Sequence, residues 1–169
     1  VAINGYTVSG TSFIYVGTGI GGALQLLGYT EGGTDQNVKE NKREIMTDLF
    51  GDMTPQDFQD MGAIARVVCP FIAIDRTVMA SIQLRGDQQV TGELNTPGLV
   101  LGVSGWSFPL AISSEADLPW YFPAALTLNE ETRLATKANP MKLEFFCWPF
   151  VSYTATTGKG VPLWTRVIP

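Results

Sequence analysis

Histidine does not occur in this chain of 169 residues. Its absence removes Ser-His-Asp and Cys-His catalysis, His-ligated zinc and haem, and the commonest general base near neutral pH. Cysteine occurs only twice, at Cys69 in VVCPF and Cys147 in FFCWPF, too few for a four-cysteine metal centre. Both lie among large apolar residues and are read as buried, reduced core thiols, with a disulfide between them as the lesser alternative. Charge is also scarce, at 16% of residues against about 25% in ordinary globular domains. The formal net charge is −5. No Lys and Arg cluster of the kind that displaces counterions from a duplex is present, so duplex DNA is not an adhesive partner. The longest apolar stretches, ARVVCPFIAI and LEFFCWPFV, each contain proline and fall far short of the roughly 20 residues of a membrane helix. The chain is therefore expected to be soluble, with no membrane partner. It opens at Val1 without a basic segment leading into an apolar one, which fits loss of an initiator Met.

What is present is apolar and turn-rich: 45% hydrophobic residues, 18 Gly and 10 Pro. The length suits one domain over residues 1–169 with one core. SFIYV flows into Gly17, Gly19 and Gly22, the spacing G-x-G-x-x-G of a dinucleotide-binding turn. That motif requires a crossover helix and a second parallel strand. ALQLLG offers only about one and a half helical turns, and TEGGTDQNVKENKRE reads as a long polar loop over 30–44. The glycines are better explained by a tight turn or close backbone approach. EIMTDLF alternates like a strand, whereas MTPQDFQDMG carries a helix-start signature in Thr54, Pro55 and Asp57. AIARVVCPFIAI resumes β character, and DRTVMASIQLRG predicts the main helix, capped by Asp75, with Val78, Met79 and Ile82 on one face and Gly86 ending it. From Leu99 onward LVLGV, WSFPLAI, WYFPAALTL, MKLEFFCWPFVSY and VPLWTRVI read as strands. The expected fold is mainly β, a β-sandwich or barrel, with one packed α-helix and a short second helix.

Catalysis without histidine would fall to carboxylates, Lys, Tyr or Ser. The acidic candidates are Asp57 with Asp60, Glu115 with Asp117, and Glu130 with Glu131. No spacing selects a pair, and caps and solvated faces account for them. A sugar-binding or sugar-cleaving β-sandwich, using Trp106, Trp120, Trp148 and Trp164 as platforms, is the alternative from another class. Arg85-Gly86-Asp87 matches a receptor-binding tripeptide, but Gly86 reads more simply as a helix C-cap. The sequence gives no catalytic residue, cofactor or metal site, and the chain is expected not to be an enzyme.

GTGIGGALQLLGYTEGG, followed by REIMTDLFGDMTPQDFQDMGAIARVVC and an Asp-started helix, resembles the tail-tube and related virion structural proteins of tailed bacteriophages. The shared features are a glycine-rich opening, an LGYT-E-G turn, and a TD-FG strand leading into P-D, a glycine and an outgoing strand. They cover roughly the first half of the chain. The resemblance implies a β-sandwich flanked by a helix, with copies of the chain forming rings that stack into a tube. DNA passes through the tube without specific binding, and other virion proteins are partners. The protein would reside in the virion, assembled in the bacterial host cytoplasm. Thr30, Glu31, Asp35, Lys39, Glu40 and Lys42 would contact a neighbouring subunit, and Asp48, Asp52 and Asp57 would face a lumen or an axial contact. Related β-sandwiches serve as capsid cement or decoration and as head-tail completion proteins, which is the alternative within the same class.

Overall fold

The computed structural model describes residues 10–17, 22–30, 32–46, 54–82, 107–114, 117–127, 141–149 and 162–169. β1 (Ser12–Val16) alternates buried Ser12, Ile14 and Val16 with half-buried Phe13 and Tyr15, the period of a strand with one face on a core. β2 (Gln25–Thr30), β3 (Asp35–Met46), β4 (Pro55–Ile74), β5 (Phe108–Ser114), β6 (Asp117–Thr127) and β7 (Met141–Cys147) complete the strands among the described residues. The expectation of a mainly β fold is met.

All pairings are antiparallel, in the order β2-β1-β5-β6-β7-β4-β3. A further pairing of β2 with β4, Gly28 opposite Ile74 and Thr30 opposite Phe71, closes six of the strands into a barrel. Its core includes Ile14, Leu27, Val67, Phe71, Leu110, Phe122, Leu143 and Phe145, and burying each large apolar side chain contributes about 1.5–3 kcal/mol. Phe108 and Phe145 meet edge to face, with centroids 6.1 Å apart, the arrangement the ring quadrupole favours. Cys69 and Cys147 are buried, free thiols, and burial pushes both well above the ordinary thiol value.

The one helix among the described residues, α1 (Arg76–Ile82), sits where its cap predicts. The Asp75 carboxylate accepts from the backbone N–H groups of Thr77 and Val78 at 2.8 and 3.2 Å, satisfying donors that a helix start leaves open. Met79 and Ile82 enter the core, with Val78 packed against it. The predicted end at Gly86 lies outside the described residues.

Several expectations are overturned. The polar loop over 30–44 is instead the end of β2, a short link and most of β3. The short second helix after Thr54 is instead the start of β4, a 20-residue strand that continues without a break into AIARVVCPFIAI. ALQLLG supplies strand β2, not helix, and β2 runs antiparallel to β1, a geometry incompatible with a dinucleotide-binding βαβ turn. VPLWTRVI forms no strand over its described residues, which make a single bridge, Thr165 with Tyr121. Gly17 shows the close approach expected of it: an added Cβ would lie 2.6 Å from Pro109 Cγ.

Candidate functional site: an arm projecting from the barrel

β2 and β3 share one edge of β4. β2 pairs with residues 71–74 and β3 with residues 55–68. Between them Gly32 and Gly33 have φ of 85° and 91°, the left-handed region that glycine enters without strain. The chain can therefore step from the barrel wall onto a second track along the same strand. On the other edge of β4, β7 pairs only with residues 65–71. Beyond Ala65, β3 and β4 thus form a two-stranded ribbon, residues 39–46 against 55–64, which has no other strand beside it among the described residues. At about 3.4 Å per residue the ribbon reaches about 25–30 Å.

The ribbon is exposed along nearly its whole length. Phe58 and Met61 are 55% and 56% exposed, and Val38, Ile45 and Met46 are also largely open. Two irregularities in register, between Glu40 and Lys42 and between Ile45 and Met46, interrupt the pairing with β4. At the first, Met61 and Gly62 face Asn41 across the ladder. Gly62 has φ of 91°, and its N–H donates to the Asp60 carboxylate at 2.9 Å, so this bulge is fixed by a local hydrogen bond.

Strand alternation and this register sort the side chains onto two faces. Val38, Glu40, Lys42, Glu44 and Met46 share one face with their cross-strand partners Ala63, Asp60 and Phe58. Lys39, Arg43 and Ile45 share the other with Ile64, Gln59 and Asp57. The 3.0 Å ion pair between Lys42 and Glu40 fits their two-residue spacing on one face. At the base of the second face Arg66 pairs with Glu144 at 3.5 Å.

The predicted contact residues separate accordingly. Lys39, Glu40 and Lys42 lie on the ribbon, Asp35 stands exposed at its base, and Asp57 is exposed near its far end. Thr30 is corrected: it is fully buried in β2 at the barrel seam and is closed to a partner. Glu31, Asp48 and Asp52 lie outside the described residues. Arg43, Glu44, Phe58, Asp60 and Met61 belong to the same surface and were not singled out as contacts. The density of charge in KENKRE marks Arg43 and Glu44 as exposed, and no sequence signal of this kind marks Phe58, Asp60 or Met61.

The carboxylate pair Asp57 and Asp60 is divided between the two faces by the same register, so these groups do not converge across a cleft. Glu115, Glu130, Glu131, Trp106 and the Arg85-Gly86-Asp87 tripeptide lie outside the described residues. Trp120 is engaged within the chain, with Trp164 4.6 Å away between centroids and the Arg166 guanidinium 4.1 Å over its ring, a cation–π contact that holds the C-terminal segment onto β6. Trp148 is half-buried, 6.0 Å from Phe146. Among the described residues no group of acidic or cysteine side chains is arranged to hold a metal ion, and no helix is long and apolar enough to cross a membrane.

Set against known proteins, the sequence matches no protein-family model and no curated protein.

Proposed function

We propose that this chain is a non-enzymatic structural subunit of a tailed bacteriophage particle, tail-tube-like, that assembles with copies of itself through the β3–β4 arm. The observation that carries the reading is the arm itself. An isolated two-stranded ribbon is at best marginally stable in water, and this one also displays Phe58, Met61 and Met46 to solvent. Exposed apolar groups on a projecting element suit a surface that a partner covers. Among the described residues the closed barrel leaves its strand edges largely paired, so assembly concentrates on the element that leaves it. The glycine-rich opening, the LGYT-E-G turn and the TD-FG segment supply the phage resemblance. The net charge of −5 suits a wall past which phosphates slide without sticking.

The test is light scattering on a sizing column, with negative-stain imaging of the same peak. It uses the full chain and a variant in which residues 41–62 are replaced by Asn-Gly, a two-residue turn joining the opposed pair Glu40 and Ala63. Rings or tubes from the full chain, and a monomer with an unchanged unfolding midpoint from the variant, are expected. A full chain that stays monomeric at every concentration would overturn self-assembly and favour a cement protein seated on another protein's shell. Equal assembly of both chains would overturn the role of the arm.

A further inference from the structure

The two faces of the arm differ in charge. One carries the carboxylates of Glu40, Glu44 and Asp60 with a single cation, Lys42, whose ammonium is already held by Glu40 at 3.0 Å. The other carries Lys39 and Arg43, with Asp57 the lone carboxylate on the ribbon. Glu40 and Glu44 are four residues apart, as are Lys39 and Arg43, so both pairs repeat at about 13 Å along the strand. The two sets lie on opposite sides of the same ribbon and one residue out of step. A second ribbon laid on the first, displaced by about one residue along the strand, sets the carboxylate pair of one over the cation pair of the other.

From this complementarity we infer that arms of successive copies of this chain stack face to face, the carboxylate face of one on the cationic face of the next. The inference rests on the self-assembly reading above and specifies its contact. Edge-to-edge pairing is the competing geometry, and the arm is poorly made for it. Two bulges break its ladder, and charged side chains line its length, both devices that blunt strand addition at an edge. Because the donor and acceptor surfaces lie on opposite faces of one element, the contact is heterologous. Each added copy leaves one face open, so stacking propagates instead of closing into a two-fold dimer. Phe58 and Met46 on the acidic face, and Ile45 on the basic face, bring apolar area into the same contact. The cationic face presents Lys39 and Arg43, with Arg66 at its base already held by Glu144, on a chain of net charge −5, which argues against a nucleic acid as its occupant.

The experiment uses full-length chains in sedimentation velocity at low and high salt. Two charge-reversed variants are made, Lys39→Glu with Arg43→Glu, and Glu40→Lys with Glu44→Lys, with Lys39→Gln and Arg43→Gln as a neutral control. All these side chains are exposed, so unfolding midpoints are expected to match the wild type. Wild-type assembly should weaken with salt. Each reversed variant alone should assemble about tenfold more weakly, as expected when like charges face each other, and the neutral control should fall between. An equimolar mixture of the two reversed variants should recover assembly, because every contact in an alternating stack again pairs opposite charges. Recovery in the mixture is the result a merely local structural effect would not give. A wild type that assembles while both reversed variants do so equally well, or whose variants fail to rescue each other although folded, overturns face stacking and leaves self-assembly standing. A wild type that does not assemble at either salt overturns both.

Discussion

The barrel closes through the short β2–β4 seam, and Gly28 is where that seam is tightest. A Cβ added there would lie 2.2 Å from the Ala73 carbonyl oxygen, 2.9 Å from Phe71 Cδ1 and 3.1 Å from Ile74 Cα. An ordinary carbon–oxygen contact is about 3.3 Å or more, so Gly28→Ala requires about 1 Å of backbone separation between two strands. The seam has only the registered pairs Gly28–Ile74, Tyr29–Ala73 and Thr30–Phe71, with a register shift already present. It also adjoins the 2.7 Å hydrogen bond from the Asp75 N–H to the Leu27 carbonyl, which anchors the start of α1. Overpacking of a well-filled site costs about 1–3 kcal/mol and occasionally more. Here rigid backbone must give way, so a loss of about 3 kcal/mol is expected. In urea, with a slope of about 2 kcal/mol per molar, the midpoint should fall by about 1.5 M. Gly10→Ala is the control, since nothing lies within 4 Å of its added Cβ, and it should change stability by less than about 0.5 kcal/mol. Measuring at two protein concentrations separates unfolding from association. A loss below about 0.5 kcal/mol for Gly28→Ala would refute the close seam and with it the closed barrel.

Removing the cap of α1 by Asp75→Ala should cost about 1 kcal/mol and shift the thermal midpoint down without altering assembly. Burial raises the Cys69 and Cys147 thiols from 9.0, so the folded state holds protons that the unfolded chain releases. Their contribution is complete below pH 9 and is lost as pH rises above it, on the order of 1 kcal/mol per thiol per pH unit. Urea titrations from pH 8 to 10 should show this slope, flattened when both residues are replaced by Ala, and thiol reagents should label neither residue until the chain unfolds. Gly62→Ala places a Cβ at φ 91° with roughly 1–2 kcal/mol of strain. Because Gly62 lies on the arm, the unfolding midpoint should hardly move while assembly, followed by light scattering, weakens.

The parts of the fold readable from sequence were those with a local or one-sided signal. Val67, Cys69 and Phe71 alternate with more open neighbours in β4, and Asp75 announces α1 by bonds to residues two and three positions on. Apart from Glu44 to Met46, where EIMTDLF alternates like a strand and β3 ends, the arm had neither. A strand exposed on both faces gives no apolar period to detect, and DQNVKENKRE is poor in the β-branched and aromatic residues that mark strands. Its extended form comes from β4, whose own start was masked by the helix-like order Thr54, Pro55, Asp57. Pairing across eleven register positions outweighed those local preferences. Lys39, Glu40 and Lys42 were legible as exposed polar groups, but their division between two faces depends on a register that only the folded hairpin defines. Thr30 was misjudged because its neighbours are polar, whereas its place is set by the seam.

β4 is one unbroken strand from the far end of the arm to the start of α1, about 65 Å of extended chain. It therefore belongs to two bodies at once, and its mechanics follow from that. Tension drawn along the arm passes into a strand held on one side by β7 and on the other by β2. The hydrogen bonds between those strands lie across the direction of pull, so they are loaded in shear and share the force instead of peeling apart one by one. The arm therefore has no soft joint with the body: force applied along it is passed directly into the wall of the barrel.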